Sequence, residues 1–127
     1  SCGDDLSNIE EMIKTHYFIV AVNQQSQIVG FSSITPQGYL HSMFVHKDFQ
    51  GEGIATMLLE EIERYAITAG ITRITSEVSL TARPFFEKKG YAVEKEQKRK
   101  ANQLSLTNFL MAKEVAFLEY YNKKVTD

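Results

Sequence analysis

Residues 50–55 read Gln-Gly-Glu-Gly-Ile-Ala, between a segment of strand composition and the most regular helical pattern in the chain. Glycine lacks a Cβ atom, so Gly51 and Gly53 allow a tight turn whose backbone amides point outward. The first amides of the helix that follows have no partner within it. With the helix dipole, these donors suit a phosphate or pyrophosphate. A glycine-rich turn that merely enters a helix is the alternative interpretation.

Two common phosphate-binding motifs do not fit this loop. A P-loop needs Lys followed by Ser or Thr after the second glycine, where this chain has Ile54 and Ala55. The dinucleotide motif G-x-G-x-x-G needs a third glycine, and Met57 and Leu58 stand near that position. The loop therefore matches neither of these two motifs.

Hydrophobic periodicity predicts a mixed sheet flanked by helices. Residues 23–26 form a polar turn between the first two strands, which favours an antiparallel hairpin. A strand–helix–strand crossover follows later in the chain. The predicted strands are 17–22, 27–34, 39–45, 71–78, 91–97 and 104–112; the predicted helices are 54–69 and 79–89, with a polar loop at 98–103.

The two ends of the chain predict short helical segments. Ser7 and Glu10 fit a capping box, which indicates a helix over 7–14. Residues 115–121 favour one or two terminal helical turns.

In the third strand, strict alternation predicts that Tyr39, His41, Met43 and Val45 share one face, opposite Leu40, Ser42 and Phe44.

Composition narrows the class of protein. A chain of 127 residues with 43% hydrophobic residues can bury one core, which predicts a single domain over 1–127. The net charge of −2 gives no reason to expect nucleic-acid binding. The lone Cys2 can form neither an intrachain disulfide nor a Cys-rich zinc site. We therefore predict no metal, and we predict a reducing, cytoplasmic location. No apolar run is long enough to span a membrane.

Three blocks of this sequence resemble the GNAT superfamily of N-acyltransferases, and in particular small bacterial acetyltransferases. The first is Gln50-x-x-Gly53-x-Ala55, similar to the family's acetyl-CoA signature. The second is residues 82–91, Ala-Arg-Pro-Phe-Phe-Glu-Lys-Lys-Gly-Tyr, and the third is residues 106–113, Leu-Thr-Asn-Phe-Leu-Met-Ala-Lys. The resemblance covers residues 17–113 in order. It implies an α/β (α+β) fold with a mostly antiparallel central sheet, one splayed parallel strand pair and flanking helices.

The resemblance also implies where acetyl-CoA binds. The backbone amides after Gln50 would hold the pyrophosphate: those of Gly51, Glu52, Gly53, Ile54, Ala55 and Thr56. The main chain of Met43, Phe44 and Val45 would pair with the pantetheine arm, and the amide of Phe44 or Val45 would polarise the thioester carbonyl.

Two of the positions implied to contact the cofactor depart from the family pattern. Ser79 stands where relatives have an Asn that touches the cofactor arm. Phe86 stands where many have a Tyr that protonates the leaving thiolate. Water or Tyr91 would then supply that proton, or no acid is needed.

Acylation of an amine requires a general base, because only the neutral amine is a nucleophile. His41 is the candidate, four residues before Val45, where some relatives carry a catalytic Glu, and histidine exchanges protons near neutral pH. Glu77 is the alternative base. Both also fit plain structural roles, as a half-buried strand histidine and a solvated carboxylate.

The resemblance predicts an N-acetyltransferase that moves an acetyl group from acetyl-CoA to a primary amine of a small molecule or peptide, by direct attack in a ternary complex. A non-catalytic acyl-CoA-binding or subunit-assembly module is the alternative. The family's first strand and helix have no counterpart before residue 17, which implies a shortened domain. The uncovered sheet edge then favours a homodimer.

Overall fold

The computed structural model describes the backbone of residues 15–101 and 104–115, and the side chains of that span except those of 99–106. The predicted helix at 7–14 and nearly all of the predicted segment 115–121 therefore lie outside the described residues. Neither described α-helix has the length and hydrophobicity of a membrane span. The elements are β1 (Tyr17–Val22), β2 (Ile28–Ile34), β3 (Leu40–Val45), a 3₁₀ turn (Lys47–Phe49), α1 (Ile54–Thr68), β4 (Arg73–Ser79), α2 (Arg83–Lys88), β5 (Ala92–Ala101) and β6 (Leu104–Glu114).

The strands form two antiparallel sheets of three, ordered β1-β2-β3 and β4-β6-β5. A parallel bridge between Tyr39 and Thr75 joins β3 to β4. There the Thr75 amide donates to the Gly38 carbonyl over 2.9 Å, and the Ser76 hydroxyl donates to the Leu40 carbonyl over 3.2 Å. Within the described strands this bridge is the only backbone pairing between β3 and β4, so the parallel pair is joined at the start of β3 and splays beyond it. The predicted fold class is confirmed.

A β-bulge at His41 changes which side chains share a face of β3. Ser33 pairs with Ser42 and Ile34 pairs with Leu40, so His41 has no opposite residue. Leu40 is buried, and Met43 packs against the core. The predicted alternation is therefore wrong: His41 and Met43 lie on opposite faces, because the extra residue shifts the two-residue period.

The core lies between the sheets and α1, on what is called here the inner face. Leu58, Leu59, Ile62 and Ala66 of α1 are buried against it. The ring of Tyr17 stacks on that of Tyr65, with centroids 3.8 Å apart, which fixes β1 to the helix. The opposite, outer face of β1–β3 carries exposed apolar side chains.

Helix α1 ends as predicted, because Ala69 is the C-cap and Gly70 follows it with φ of +81°. Helix α2 begins at Arg83 rather than at residue 79, which places Pro84 in its first turn. Proline lacks a backbone N–H group, but an N–H in the first turn has no partner within the helix, so no hydrogen bond is lost.

The sequence predicts a loop at 98–103. That prediction is wrong for residues 98–101, which belong to β5. Lys98 pairs with Thr107, and Ala101 pairs with Leu104. Pairing with β6 therefore keeps residues 98–101 in a strand, although their residue types do not alternate between hydrophobic and polar.

Replacing Gly38 with Ala tests the joint between the sheets. Gly38 has φ of +94°, and a Cβ atom there would lie 2.3 Å from the Arg73 carbonyl oxygen. Gly70 has a similar φ of +81° with nothing within 4 Å of an added Cβ, so Gly70→Ala is the matched control. We expect Gly70→Ala to cost about 1–2 kcal/mol of unfolding free energy, and Gly38→Ala to cost about 1–3 kcal/mol more. Urea unfolding measures both, and equal losses would contradict the close approach.

Candidate functional site

A cleft of about 520 Å³ opens on the inner face where β3 has diverged from β4. The end of β3, the loop after it, the first turn of α1 and the start of α2 form its walls. Its lining residues are Met43, Val45, Gln50, Gly51, Gly53, Ile54, Ala55, Thr56, Ala82, Phe85 and Phe86. Nine of the predicted cofactor residues are in this set; Ala82 and Phe85 were not predicted to bind.

The loop at the mouth of the cleft has the geometry that its glycines predict. Gly51 and Gly53 have φ of +84° and +82°, values that other residues rarely adopt. The amide of Met57 makes the first bond of α1, to the Gly53 carbonyl over 3.1 Å. The amides of Ile54 and Ala55 precede that bond, so they are available to an anion. The side-chain amide of Gln50 donates to the Val45 carbonyl over 3.4 Å and ties the loop to β3.

Three of the predicted cofactor residues do not line the cleft. Phe44 points to the outer face, where its ring lies 5.5 Å from that of Phe31. Glu52 is exposed and lines a second cavity, of about 540 Å³, on the other side of the loop. The Ser79 hydroxyl accepts from the Ala82 amide over 3.1 Å, which caps the turn before α2. The predicted main-chain roles of Phe44 and Glu52 are not affected by where their side chains point.

The wall formed by α2 is aromatic. Phe86 is buried, and its ring meets those of Phe85 and Tyr91 edge to face. The Tyr91 hydroxyl donates to Glu63 over 2.8 Å. Burial first, and then the charge of Glu63 and the hydrogen bond to it, raise the pKa of Tyr91 well above its usual range. The Tyr91 hydroxyl is therefore engaged by Glu63, and Tyr91 is not among the residues that line the cleft.

Lys113 completes the support beneath this wall. Its ammonium lies 3.1 Å from Glu63 Oε1 and donates to the Lys89 carbonyl over 2.9 Å. Since the two charged side chains are largely buried and paired, they hold the end of α2 against α1.

The predicted bases lie on the outer face, opposite the cleft. The Tyr39 hydroxyl donates to Glu77 Oε1 over 3.2 Å, and the side-chain amide of Asn108 donates to Glu77 Oε2 over 3.4 Å. The ring of His41 is 6.2 Å from that of Tyr39 and 5.1 Å from that of His16. His41 and Glu77 thus belong to one cluster, linked through Tyr39.

His16 and Asn108 had no functional assignment from the sequence. Burial, and then the neighbouring His41, lower the pKa of His16. No spacing signal could have placed His16 beside His41, because two strands and their turns separate them along the chain. Among the described residues, no three His, Cys, Asp or Glu side chains converge as a metal site requires.

The divergence of β3 from β4 has a candidate feature on each face of the sheet. On the inner face the cleft lies beside Met43 and Val45 at the end of β3. On the outer face His41 follows the joint on β3, and Glu77 follows it on β4.

The chain belongs to the GNAT acetyltransferase family: residues 4–114 match the family model described as Acetyltransferase (GNAT) domain. It is similar to YafP of Escherichia coli (strain K12), an uncharacterized N-acetyltransferase, with 29% identity over 102 residues. It is also 32% identical over 74 residues to YjaB of Salmonella typhimurium, a peptidyl-lysine N-acetyltransferase. These matches cover 80% and 58% of this chain, but only 63% and 49% of the two relatives.

Solved structures share this fold. A GCN5-related N-acetyltransferase from Rhodopseudomonas palustris superimposes with a TM-score of 0.75 and 27% identity, over 90% of this chain and 71% of that one. An aminoglycoside 6′-N-acetyltransferase complexed with coenzyme A gives a TM-score of 0.73 at 22% identity, over 85% of this chain and 78% of the other. The predicted family is confirmed.

Proposed function

We propose that this chain is an N-acetyltransferase that moves an acetyl group from acetyl-CoA to a primary amine of a small molecule or peptide. The observation that carries the proposal is the cleft that the end of β3, the glycine loop, the start of α1 and the start of α2 enclose. The cleft would hold acetyl-CoA, the outer-face cluster would hold the amine, and the two would meet across the gap. Transfer is then direct, in a ternary complex.

The residues of the cleft fit this cosubstrate. The amides at 51–56 would bind its pyrophosphate, because they surround a helix start that carries positive partial charge. The apolar walls from Met43, Val45 and Phe86 suit a flexible, mostly uncharged arm. The amide of Phe44 or Val45 would donate to the thioester carbonyl oxygen as negative charge develops there. Bound acetyl-CoA supplies the activated acetyl group.

On the outer face, His41 is the base of this proposal. It takes one proton from the ammonium of the acceptor, so that the neutral nitrogen can form its bond to the acetyl carbon as the carbon–sulfur bond breaks. The second proton that the nitrogen loses goes to the departing thiolate through water. Glu77 is less suited to the role, because it already accepts hydrogen bonds from Tyr39 and Asn108.

The relatives support the class of reaction. YafP and YjaB are both N-acetyltransferases, and YjaB acts on peptidyl-lysine. The aminoglycoside 6′-N-acetyltransferase of the same fold was crystallised with coenzyme A. The names of these relatives and the cluster around His41 support a primary amine as the acceptor for this chain.

A non-catalytic acyl-CoA-binding or subunit-assembly module is the second candidate. It is favoured by Phe86, which has no proton to give, and by Tyr91, whose hydroxyl is engaged by Glu63. Turnover with any amine would exclude it.

Replacing Gly53 with Val tests the anion site. Valine is strained at φ of +82°, so the loop must change shape to accommodate it. We expect acetyl-CoA affinity, measured by calorimetry, to fall at least about tenfold, or about 1.4 kcal/mol. Gly70→Val is the control, since it places the same residue at a similar φ beyond the far end of α1. Unchanged affinity in Gly53→Val would show that the loop does not hold the cosubstrate.

Replacing His41 with Ala tests the base. We expect the rate of thiol release to fall about a hundredfold and its rise with pH near neutrality to disappear. His46→Ala is the matched control, because His46 lies in the loop after β3, where its Nδ1 accepts from the Asp48 amide and its ring lies 5.7 Å from that of Phe49. If the rise with pH survives in His41→Ala and is lost in Glu77→Gln, Glu77 is the base instead.

The single domain, the cytoplasmic location and the homodimer remain predictions. The dimer is supported by the outer face of β1–β3, where Val20 pairs with Phe31 and Phe31 with Phe44, all of them exposed. Contiguous exposed apolar surface is typical of an interface. We expect sedimentation velocity to show a dimer at micromolar concentration and Phe31→Lys to shift it to monomer. A wild-type monomer would contradict the dimer.

A further inference from the structure

Gly30 lies within β2, at a position where no turn requires a glycine. The described glycines with positive φ do not include it, so alanine can adopt the same backbone conformation. A β-bulge adjoins it, since Ala21 pairs with Gly30 and Val22 pairs with Ile28, which leaves Val29 unpaired. Glycine inside a strand often marks a place where another part of the chain approaches closely. The reason for a glycine here therefore lies in the space around it.

The space beside Gly30 is filled from two directions. A Cβ atom at this position would lie 2.8 Å from the carbonyl oxygen of Phe44 on β3. It would also lie 3.2 Å from Cγ2 of Ile54 and 3.2 Å from Cδ1 of Leu58. Ile54 and Leu58 are four residues apart, so they belong to one face of α1. Both β3 and the start of α1 therefore approach the backbone of Gly30 more closely than a side chain would allow.

These two neighbours are the two halves of the proposed cosubstrate site. Ile54 is the first residue of α1, and its amide is one of the proposed pyrophosphate donors. Phe44 lies in the stretch of β3 whose main chain would pair with the pantetheine arm. Gly30 pairs directly with Val45, and Val45 and Ile54 both line the cleft. Gly30 itself is buried and is not among the lining residues.

The backbone of β3 is held in place on both sides of Phe44. The His46 amide donates to the Val29 carbonyl over 2.8 Å, and the Ser32 hydroxyl donates to the Ser42 carbonyl over 2.7 Å. An added methyl group would therefore bend β3 at Phe44 and push α1 outward. A displacement of about half an ångström is needed before the contact with the Phe44 oxygen reaches an ordinary 3.4 Å.

We propose that Gly30 is a positioning residue for acetyl-CoA, because its missing side chain sets the spacing between the amides at the start of α1 and the main chain of β3. This inference rests on the proposed function and adds a residue that does not touch the cosubstrate. The pyrophosphate and the pantetheine arm belong to one molecule, so the groups that bind them must be held at the spacing of that molecule. A binding site needs its groups held within about 0.5 Å of the productive geometry.

Replacing Gly30 with Ala tests the inference, because it adds only the Cβ atom. We expect the affinity for coenzyme A, measured by calorimetry on protein that thermal unfolding shows to be folded, to fall at least about tenfold. An unchanged affinity would overturn the inference.

Ala66→Val is the matched control. Ala66 is fully buried near the far end of the same helix, so a larger side chain overpacks α1 against the core at a distance from the cleft. We expect it to lower the unfolding temperature at least as much as Gly30→Ala does, and to leave the coenzyme A affinity within about twofold. Equal losses of affinity in the two variants would show that Gly30 acts only through stability, and the inference would be wrong.

Two fragments of the cosubstrate separate a change of spacing from damage to one half of the site. ADP carries the diphosphate and pantetheine carries the arm, and titrations followed by amide NMR resonances give the affinity of each. Either fragment can follow its own half of the site, so Gly30→Ala should weaken each by less than about threefold while it weakens intact coenzyme A about tenfold. A loss for one fragment as large as the loss for coenzyme A would contradict the spacing role.

A second background keeps the test decisive if Gly30→Ala does not fold. Leu58→Val removes the Cδ1 atom that the new methyl group would meet, which gives that group more room beside α1. The Cβ atom of Gly30→Ala still lies against the Phe44 carbonyl, so the double variant should bind coenzyme A several-fold more weakly than Leu58→Val alone. Equal affinities in this pair would overturn the inference.

The inference and the proposed function fail in different ways. If the wild-type protein does not bind coenzyme A, the proposed function is wrong, and Gly30 has no cosubstrate to position. If the wild-type protein binds coenzyme A and Gly53→Val weakens that binding while Gly30→Ala does not, the proposed function stands and only the role of Gly30 is wrong.

Discussion

The joint between the two sheets, at Gly38, Tyr39 and Thr75, is the constraint on which the rest of the structure depends. The backbone of Gly38 passes so close to Arg73 that no side chain fits between them, and the Thr75 amide bonds to its carbonyl. Because this joint lies at the start of β3, the two strands are held at one end and diverge toward the other. The bulge at His41 falls just beyond the joint.

That divergence places chemistry on both faces of the sheet. On the inner face, the end of β3 leads through the glycine loop into α1, whose first amides close the mouth of the cleft. On the outer face, His41 and Glu77 stand on either side of the gap, with Asn108 further along the sheet. Glu63 contacts Tyr91 and Lys113 away from the cleft. These contacts hold α2 in position, where it forms the aromatic wall of the cleft.

Local sequence predicted the loop and the helix after it well. Gly51 and Gly53 adopt the positive φ angles that their residue type permits, and α1 runs from Ile54 to an end before Gly70. These features depend on residues within a few positions of one another, so spacing is informative. The cosubstrate positions came from the resemblance to the GNAT superfamily, and nine of those residues line one cleft. The faces of β3 were mispredicted, because a bulge depends on the pairing strand and leaves no mark in the alternation of residue types.

The sequence by itself determined the order of the elements and the amides at the start of α1, since both follow from residue type and short spacing, and the resemblance of three of its blocks to GNAT enzymes indicated the family. Only the tertiary structure decided that His16 and Asn108 join His41 and Glu77 on one face. Strand pairing brings together residues as far apart in the chain as Glu77 and Asn108, and their side chains have no local pattern in common. The physical reason is register: which residues face each other across a sheet is set by backbone hydrogen bonds between distant segments.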